Sequence, residues 1–376
     1  MRIHHVLLAI ATCAPLVLGA QQKRGAVETG FLWRLGTDTL HIERVTRSGT
    51  RLSGTHLTRV PETILREWSA ELGPDGSVQR FEQTVRKGSG EVLSSRTLAF
   101  ARDSVTNTFR QGDSTSSSKL AAPTGSLPDI PNSYGLLELA LQRLAGHDSI
   151  SFSVLSLGGQ PAEASALARA GSAGSDTIRL HLRDLPTINL RVDREGRIVW
   201  ANNLGTIVER IPAPDMTHWA GVFATRPLGA LSPRDTVRAV VGGATVLVDY
   251  SRPARRGRVV FGGMVPWNAV WRTGANRTTT LVSDRELQVG DATLPAGSYA
   301  LFTIPTPTGW TLIVNRSVGA GTDYDAGQDV ARIAMRTERV PQSVERFTIG
   351  LEPRGAEALL SFSWEQTRAA VTVRQK

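Results

Sequence analysis

Residues Val259 to Asn315 read VVFGGMVPWNAVWRTGANRTTTLVSDRELQVGDATLPAGSYALFTIPTPTGWTLIVN. No other stretch of the chain is as dense in Trp, Gly and Pro, and the stretch contains no His and no Cys. Gly and Pro set the backbone conformations of tight turns, and the runs between them have the length of short strands. The stretch therefore indicates a β-rich fold more directly than it indicates a reaction.

The candidate binding residues lie in this stretch and just before it. They are Tyr250, Arg252, Arg258, Trp271, Arg272, Thr273 and Asn276. Arg and Asn side chains beside a Gly-rich turn can hold an anion or the hydroxyls of a carbohydrate, and Trp can stack on a sugar ring. The same residues could instead fill a core and bond loop carbonyls. The sequence leaves both interpretations open.

An ordered pattern runs through this part of the chain. It comprises YSRP at 250–253, FGG at 261–263, VWRTGAN at 270–276, LPAGSYALFTIP at 294–305 and Trp310. The pattern resembles that of a bacterial domain family of unknown function, and the resemblance extends over about residues 236–376. It implies a secreted, β-rich domain and brings no established activity.

The charge of the chain comes from dispersed arginines. Lys and Arg together number 43, the net charge is +9, and the only lysines are Lys23, Lys87, Lys119 and Lys376. The arginines alternate with Glu and Asp, whereas a nucleic-acid-binding protein gathers its cations into a stripe or patch. We therefore expect no nucleic-acid partner. A small anionic ligand, a carbohydrate or an apolar molecule remains compatible with the sequence.

The first twenty residues have the pattern of a secretory signal peptide. A short basic start is followed by an apolar run from Val6 to Leu18 and by Gly19-Ala20. This run is too short to span a bilayer, so we expect cleavage after Ala20 and a periplasmic or extracellular protein without a transmembrane segment. The single cysteine, Cys13, lies in this segment, and its acylation in a lipoprotein is the alternative.

Residues 25–211 are predicted to form the first domain, a curved antiparallel sheet with one packed helix. Strand-length alternating runs are separated by turns such as Gly73-Pro74-Asp75-Gly76. One helix follows Asn132 or Ser133, either of which can cap it. The order of elements resembles the half-barrels of bacterial periplasmic lipid carriers. That resemblance implies an apolar ligand on the concave face, while a face filled by the helix is the alternative.

Residues 212–235 contain four prolines and little periodicity, and they are predicted to be a linker. Residues 236–376 then contain about eight short strands with Gly/Pro turns between them, a pattern typical of an antiparallel sandwich or barrel. With 376 residues, two domains are expected.

Catalytic residues are scarce. All seven histidines lie at or before His218, so the second domain has no imidazole and no thiol. Five histidines lie outside the predicted signal peptide and are expected to be dispersed strand or surface residues. They are His41, His56, His147, His181 and His218. Asp323, Asp325 and Asp329 have the spacing of half a calcium loop, but a tight turn explains them as well. We therefore predict no catalytic residue, no metal and no cofactor.

Three functions remain open. The first is a non-catalytic binding or envelope-assembly module. The second is a glycan hydrolase, which needs two carboxylates across one cleft. Its candidates are Asp249, Asp284, Glu286 and Glu365. The third is a carrier that holds an apolar ligand on the concave sheet of the first domain.

Overall fold

A computed structural model describes residues 26–157, 162–171, 176–182, 187–203, 205–319 and 324–376. The predicted signal peptide, including Cys13, and Asp323 lie outside the described residues. The described chain forms two sheets, and the mainly β fold with a curved N-terminal sheet and a C-terminal sandwich is confirmed.

The first sheet has fifteen strands within the described ranges. Its strands are β1 Val27–Leu35, β2 Asp38–Ser48, β3 Arg51–Thr58, β4 Ile64–Leu72, β5 Val78–Lys87, β6 Val92–Phe100, β7 Ser104–Gln111, β8 Ser114–Ala121, β9 Leu127–Asp129, β10 Ser149–Ser156, β11 Glu163–Arg169, β12 Thr177–Leu182, β13 Ile188–Val192, β14 Ile198–Asn203 and β15 Thr206–Ile211. Two meanders, β1 to β8 and β15 back to β9, meet where β1 pairs with β15. All pairings are antiparallel except that of β9 with β10.

Two α-helices accompany this sheet, α1 Tyr134–Arg143 and α2 Met216–Thr225. Helix α1 is the predicted one, and its apolar face contributes Leu136, Leu139 and Leu141 to the core. Neither helix in the described part of the chain has the length and hydropathy of a membrane span.

Helix α2 and the start of the second sheet fall inside residues 212–235, the segment predicted to be a linker. Asp215 caps α2 by accepting hydrogen bonds from the backbone N–H groups of Thr217 and His218. Phe223, Trp219 and Val222 pack α2 against Ile42 and Leu57, on the convex face of the first sheet. The helix is short, and the prolines on both sides of it made its apolar periodicity hard to recognise in the sequence.

The second sheet has nine strands in the described residues, in the order β16-β17-β18-β21-β22-β23-β24-β19-β20. They are β16 Arg234–Val241, β17 Ala244–Ser251, β18 Thr279–Ser283, β19 Leu287–Val289, β20 Ala292–Leu294, β21 Gly297–Pro305, β22 Trp310–Asn315, β23 Asp329–Arg354 and β24 Glu357–Gln375. The long strands β23 and β24 form one hairpin whose register shifts between Arg339 and Thr348. This bend lets the sheet fold over its own core.

Candidate functional site

A cavity of about 490 Å³ lies between the concave face of the first sheet and the segment that leads into α1. We call it the first-sheet cavity. Its lining is mostly apolar and comes from the first two strands and the later strands of the first sheet, as well as from α1. The lining residues are Trp33, Leu40, His41, Leu127, Pro128, Asp129, Ile130, Pro131, Asn132, Ser133, Tyr134, Leu136, Leu137, Phe152, Val154, Leu180, Leu182, Ile188, Asn203, Thr206 and Leu231.

One side of this cavity is aromatic and polar. Trp33 contacts Tyr134 edge-on, with ring centroids 5.3 Å apart, and lies 6.0 Å from His41. His41 Nδ1 is 3.3 Å from Thr58 Oγ1, and its Nε2 is 3.5 Å from Asn132 Nδ2. A ligand in the cavity would therefore meet these hydrogen-bonding groups on one wall, while the rest of the lining is mostly apolar, with Asp129, Asn203 and Thr206 as further polar residues.

The imidazoles of His41 and His56 stack at 5.4 Å, so the expectation of dispersed strand or surface histidines is wrong for this pair. His56 is fully buried, and neither of its ring nitrogens has a hydrogen-bond partner among the described residues. The other three histidines, His147, His181 and His218, are exposed. Cross-strand pairing brings the two together, because His56 lies opposite Glu43, two residues from His41.

Burial keeps both imidazoles neutral. It lowers the pKa of His41 to about 4, with a smaller contribution from the charge of Arg66. Burial also lowers the pKa of His56, helped by His41 and Arg66. A neutral imidazole can donate one hydrogen bond and accept another, so His41 can bind a polar group of either kind.

Glu43 on β2 fixes the start of α1 at the cavity. Its carboxylate accepts hydrogen bonds from Ser133 Oγ and from the backbone N–H groups of Tyr134 at 3.0 Å and Gly135 at 3.3 Å. Ser133 occupies the N-cap position, but its side chain makes no cap hydrogen bond. The predicted cap is therefore supplied by the sheet. Burial raises the pKa of Glu43 to about 7, although the three donors act in the opposite direction.

Three of the binding residues predicted in the second domain make packing or hydrogen-bond contacts within that domain. Tyr250 is buried, and its hydroxyl is 3.5 Å from the carbonyl oxygen of Ile349. Thr273 is fully buried with a positive φ, and its hydroxyl donates to Thr303 Oγ1 at 3.2 Å. Trp271 stacks on Trp364 within an aromatic cluster. These contacts favour the core-filling interpretation over a sugar-stacking one.

The arginines Arg252 and Arg258 make internal bonds. Arg252 donates to Asp235 and Thr348, both at 3.0 Å, and so ties β17 to β16 and β23. Arg258 donates to the carbonyl oxygens of Arg255 and Ala254 at 3.0 and 2.8 Å. Arg252 is therefore engaged by a carboxylate, and Arg258 by backbone carbonyls of its own loop.

For Arg272 and Asn276 the structure shows no contact with a described residue that would occupy the side chain. Arg272 is half-buried, burial lowers its pKa, and no described residue forms a hydrogen bond or ion pair with its guanidinium. Asn276 is exposed at a φ of 61°, a conformation that Asn tolerates in turns. Three of the predicted residues, Arg258, Trp271 and Arg272, line a space between the two sheets where a ligand could contact them.

Arg272 lines a second cavity of about 530 Å³ between the two sheets, which we call the cleft. The cleft also contains Arg256, Arg258 and the rings of Trp271 and Trp364. Thr206 and Leu231 line both the cleft and the first-sheet cavity.

The four carboxylates considered for glycan hydrolysis have separate partners. Asp249 pairs with Arg234 at 2.5 Å, and Asp284 accepts from the N–H of Thr245. Glu365 accepts from the N–H of Val260, and Glu286 lies 3.7 Å from the amine of Lys376. These contacts give no paired acid and base.

No group of three or more His, Cys, Asp or Glu residues within the described ranges is arranged to hold a metal ion. Asp325 caps the short 3-10 turn Ala326–Gln328, and Asp329 accepts hydrogen bonds from Asn315 and Tyr324. This arrangement fits a structural turn.

Residues 232–373 match a family described as a protein of unknown function, DUF2911. The matched range contains the whole second sheet except its last strand end, and it agrees with the resemblance expected over about residues 236–376. The individual motif positions stay a prediction.

No curated protein matches the chain. Among solved structures, a DUF1089 family protein from Pseudomonas aeruginosa is similar at 15% sequence identity, with a TM-score of 0.34. The similarity covers 43% of this chain and 89% of that chain. A similarity of this degree does not bear on the ligand or the activity of this chain.

Proposed function

We propose that this protein is an exported binding protein that carries a small apolar ligand in the first-sheet cavity. Export is proposed from the signal-peptide pattern of the first twenty residues. The ligand class is proposed from the cavity.

The observation that carries the proposal is the cavity itself. Its volume of about 490 Å³ lies in the range of small-molecule sites, which are typically lined by hydrocarbon with a few polar groups. Leu180, Val154 and Leu136 on its walls are almost completely buried. A close-packed core would fill such a space, since interiors seldom leave voids larger than a water molecule.

The polar wall supports binding with a fixed orientation. His41, Asn132 and Tyr134 line the same side of the cavity, while the remaining walls are mostly Leu, Ile, Val and Pro. An apolar ligand with one polar end would place that end against this wall. The anchoring of α1 by Glu43 keeps Asn132 and Tyr134 in place, so the site is formed before a ligand enters.

A carrier is favoured over the glycan hydrolase because the candidate carboxylates Asp249, Asp284 and Glu365 are each engaged by separate partners. An assembly module without a ligand would leave the cavity unexplained. Binding is therefore the function that accounts for the most specific feature of the fold.

The test is titration of the purified protein with N-phenylnaphthylamine, a neutral dye whose fluorescence rises in apolar sites. We expect saturable binding and its displacement by a long-chain alcohol. Leu137→Trp and Leu182→Trp, on opposite walls, should each fill the cavity and weaken binding about tenfold or more.

The matched control is Val92→Trp, which adds the same ring to an exposed position on β6, where Val92 is 49% exposed. It should bind the dye as the unmodified protein does. Melting temperatures verify that the cavity variants are folded. Absence of saturable binding, or folded cavity variants with unchanged affinity, would refute the proposal.

A further inference from the structure

The first-sheet cavity and the cleft share part of their walls. Thr206, at the start of β15, and Leu231, in the segment between α2 and β16, line both spaces. Both side chains are only half-buried. The two spaces are therefore adjacent at Thr206 and Leu231.

The cleft is cationic. It is lined by Arg256, Arg258 and Arg272, and none of the described residues in its lining is acidic. Arg256 is neutralised from outside the lining, because it forms an ion pair with Asp38, and its backbone N–H donates to Glu345 at 2.7 Å. Arg272 forms no such ion pair with any of the described residues.

Arg258 is held in place by neutral groups. It donates to the carbonyl oxygens of Arg255 and Ala254, and its side chain packs against Gly205, where an added Cβ would lie 2.5 Å from Arg258 Cδ. Glu345 contributes only a weak raising influence on its pKa, which burial and Arg256 lower. These contacts hold the side chain of Arg258 at the wall of the cleft.

Arg272 is the stronger indication. Its guanidinium is half-buried beside Trp271 and has no hydrogen-bond or ion-pair partner among the described residues. Removing a charge from water without a partner is unfavourable, and planar guanidinium groups bind carboxylates and phosphates in two-point contacts. An acidic group in the cleft would remove this cost.

We propose that the ligand is an anionic amphiphile whose hydrocarbon chain fills the first-sheet cavity and extends past Thr206 and Leu231, and whose acid group lies in the cleft against Arg272. This inference rests on the proposed function and specifies its ligand class. Leu231 and Thr206 contact the part of the chain next to the acid group. Trp271 and Trp364 provide the apolar floor of the cleft around it.

The test compares two ligands with the same chain and different ends, dodecanoate and dodecanol, by calorimetry at pH 8, where the acid is ionised. The unmodified protein should bind dodecanoate about tenfold more tightly than dodecanol. Arg272→Gln should remove most of this difference by weakening dodecanoate alone. Arg272→Lys, which keeps the charge but not the two-point geometry, should retain part of it.

Arg277→Gln is the matched control, because Arg277 is an exposed residue of the same loop and does not line the cleft. It should leave both affinities unchanged. Equal affinity for the two ligands in the unmodified protein, or an unchanged difference in folded Arg272→Gln, overturns the head-group assignment and leaves the apolar carrier standing. Failure of both ligands to bind overturns the carrier as well.

Discussion

The carboxylate of Glu43 accepts a hydrogen bond from the backbone N–H of Tyr134 at 3.0 Å, across 91 positions of the sequence. A buried sheet residue thus performs the capping that a helix usually obtains from its own flanking residue. The same contact sets the depth at which Tyr134 enters the cavity. Stability of α1 and shape of the site are therefore linked through one side chain.

Glu43→Ala should destabilise the fold by about 2–4 kcal/mol, because it leaves Ser133 Oγ and two buried N–H groups without an acceptor. Urea denaturation measures the free energy of unfolding. The control Glu82→Ala removes an exposed carboxylate that pairs with Arg80, and should change it by no more than about 0.5 kcal/mol. A loss at Glu43 no larger than at Glu82 would show that the cap is dispensable.

The buried histidines give stability a pH dependence of defined sign. Burial lowers the pKa of His41 from 6.5 to about 4 and also lowers that of His56, so below pH 6.5 the unfolded chain binds more protons than the folded one. The free energy of unfolding should fall as the pH drops from 6.5 to 4, by roughly 3 kcal/mol from His41. Arg66 faces both rings and adds to the effect.

The raised pKa of Glu43 has the opposite effect on the pH dependence of the free energy of unfolding. Its pKa is raised from 4.5 to about 7, so between these values the folded state keeps a proton that the unfolded chain has lost. That contribution to stability is present at low pH and is lost as the pH rises toward 7. Glu43→Gln should therefore steepen the acid sensitivity between pH 4.5 and 6.5, and His41→Gln should flatten it. Denaturation curves at four pH values distinguish these cases, and a Glu43→Gln profile parallel to that of the unmodified protein would contradict the assignment.

Gly135→Ala and Gly221→Ala should act in opposite directions although both add a methyl group to a helix. A Cβ at Gly135 would lie 2.5 Å from Val45 Cγ2 and push α1 off the sheet, at a cost of about 1–3 kcal/mol. Gly221 has open space around it in α2, so alanine should stabilise by about 0.5–1 kcal/mol. Thermal unfolding of both variants measures these changes in stability. Stabilisation by Gly135→Ala would mean that α1 can shift freely.

Substitutions of Tyr250 distinguish a packing role of this residue from a binding role. Its ring packs edge-on against Phe347, and its hydroxyl is at the limit of a hydrogen bond with Ile349. Tyr250→Phe should therefore change the free energy of unfolding by no more than about 1 kcal/mol, and Tyr250→Ala should lower it by about 3–5 kcal/mol. Loss of dodecanoate binding in a fully stable Tyr250→Phe protein would restore the binding interpretation.

Periodicity and turn residues were sufficient to predict the fold class. Apolar residues recur at helical spacing in the segment that forms α1. They are Leu137, Ala140, Leu141 and Leu144. The long strands β23 and β24 do not fit the predicted pattern of short strands, because the bend around Pro341 resembles a turn in sequence. Local signals do not distinguish a bend in a continuous strand from a connection between two strands.

The site could be predicted only in part. Arg272 was identified from its Gly-rich context, but the first-sheet cavity joins Trp33, Leu180 and Leu231, which only sheet order brings together. A signal for the His41 and His56 pair was present in the short turn between β2 and β3, whose register sets Glu43 opposite His56. Applying hairpin register to the inward-facing positions would have revealed the pair.

The pairing of β1 with β15 has a consequence for biogenesis. Thr29 and Ile211, joined by a hydrogen bond, are 182 positions apart, so β1 acquires its second neighbour only after most of the first sheet has been synthesised. Until then β1 is an open edge, able to pair with other chains. The ligand site, which needs Trp33 and Thr206 together, is among the last parts of this sheet to form, and a chaperone that shields nascent β1 would protect its assembly.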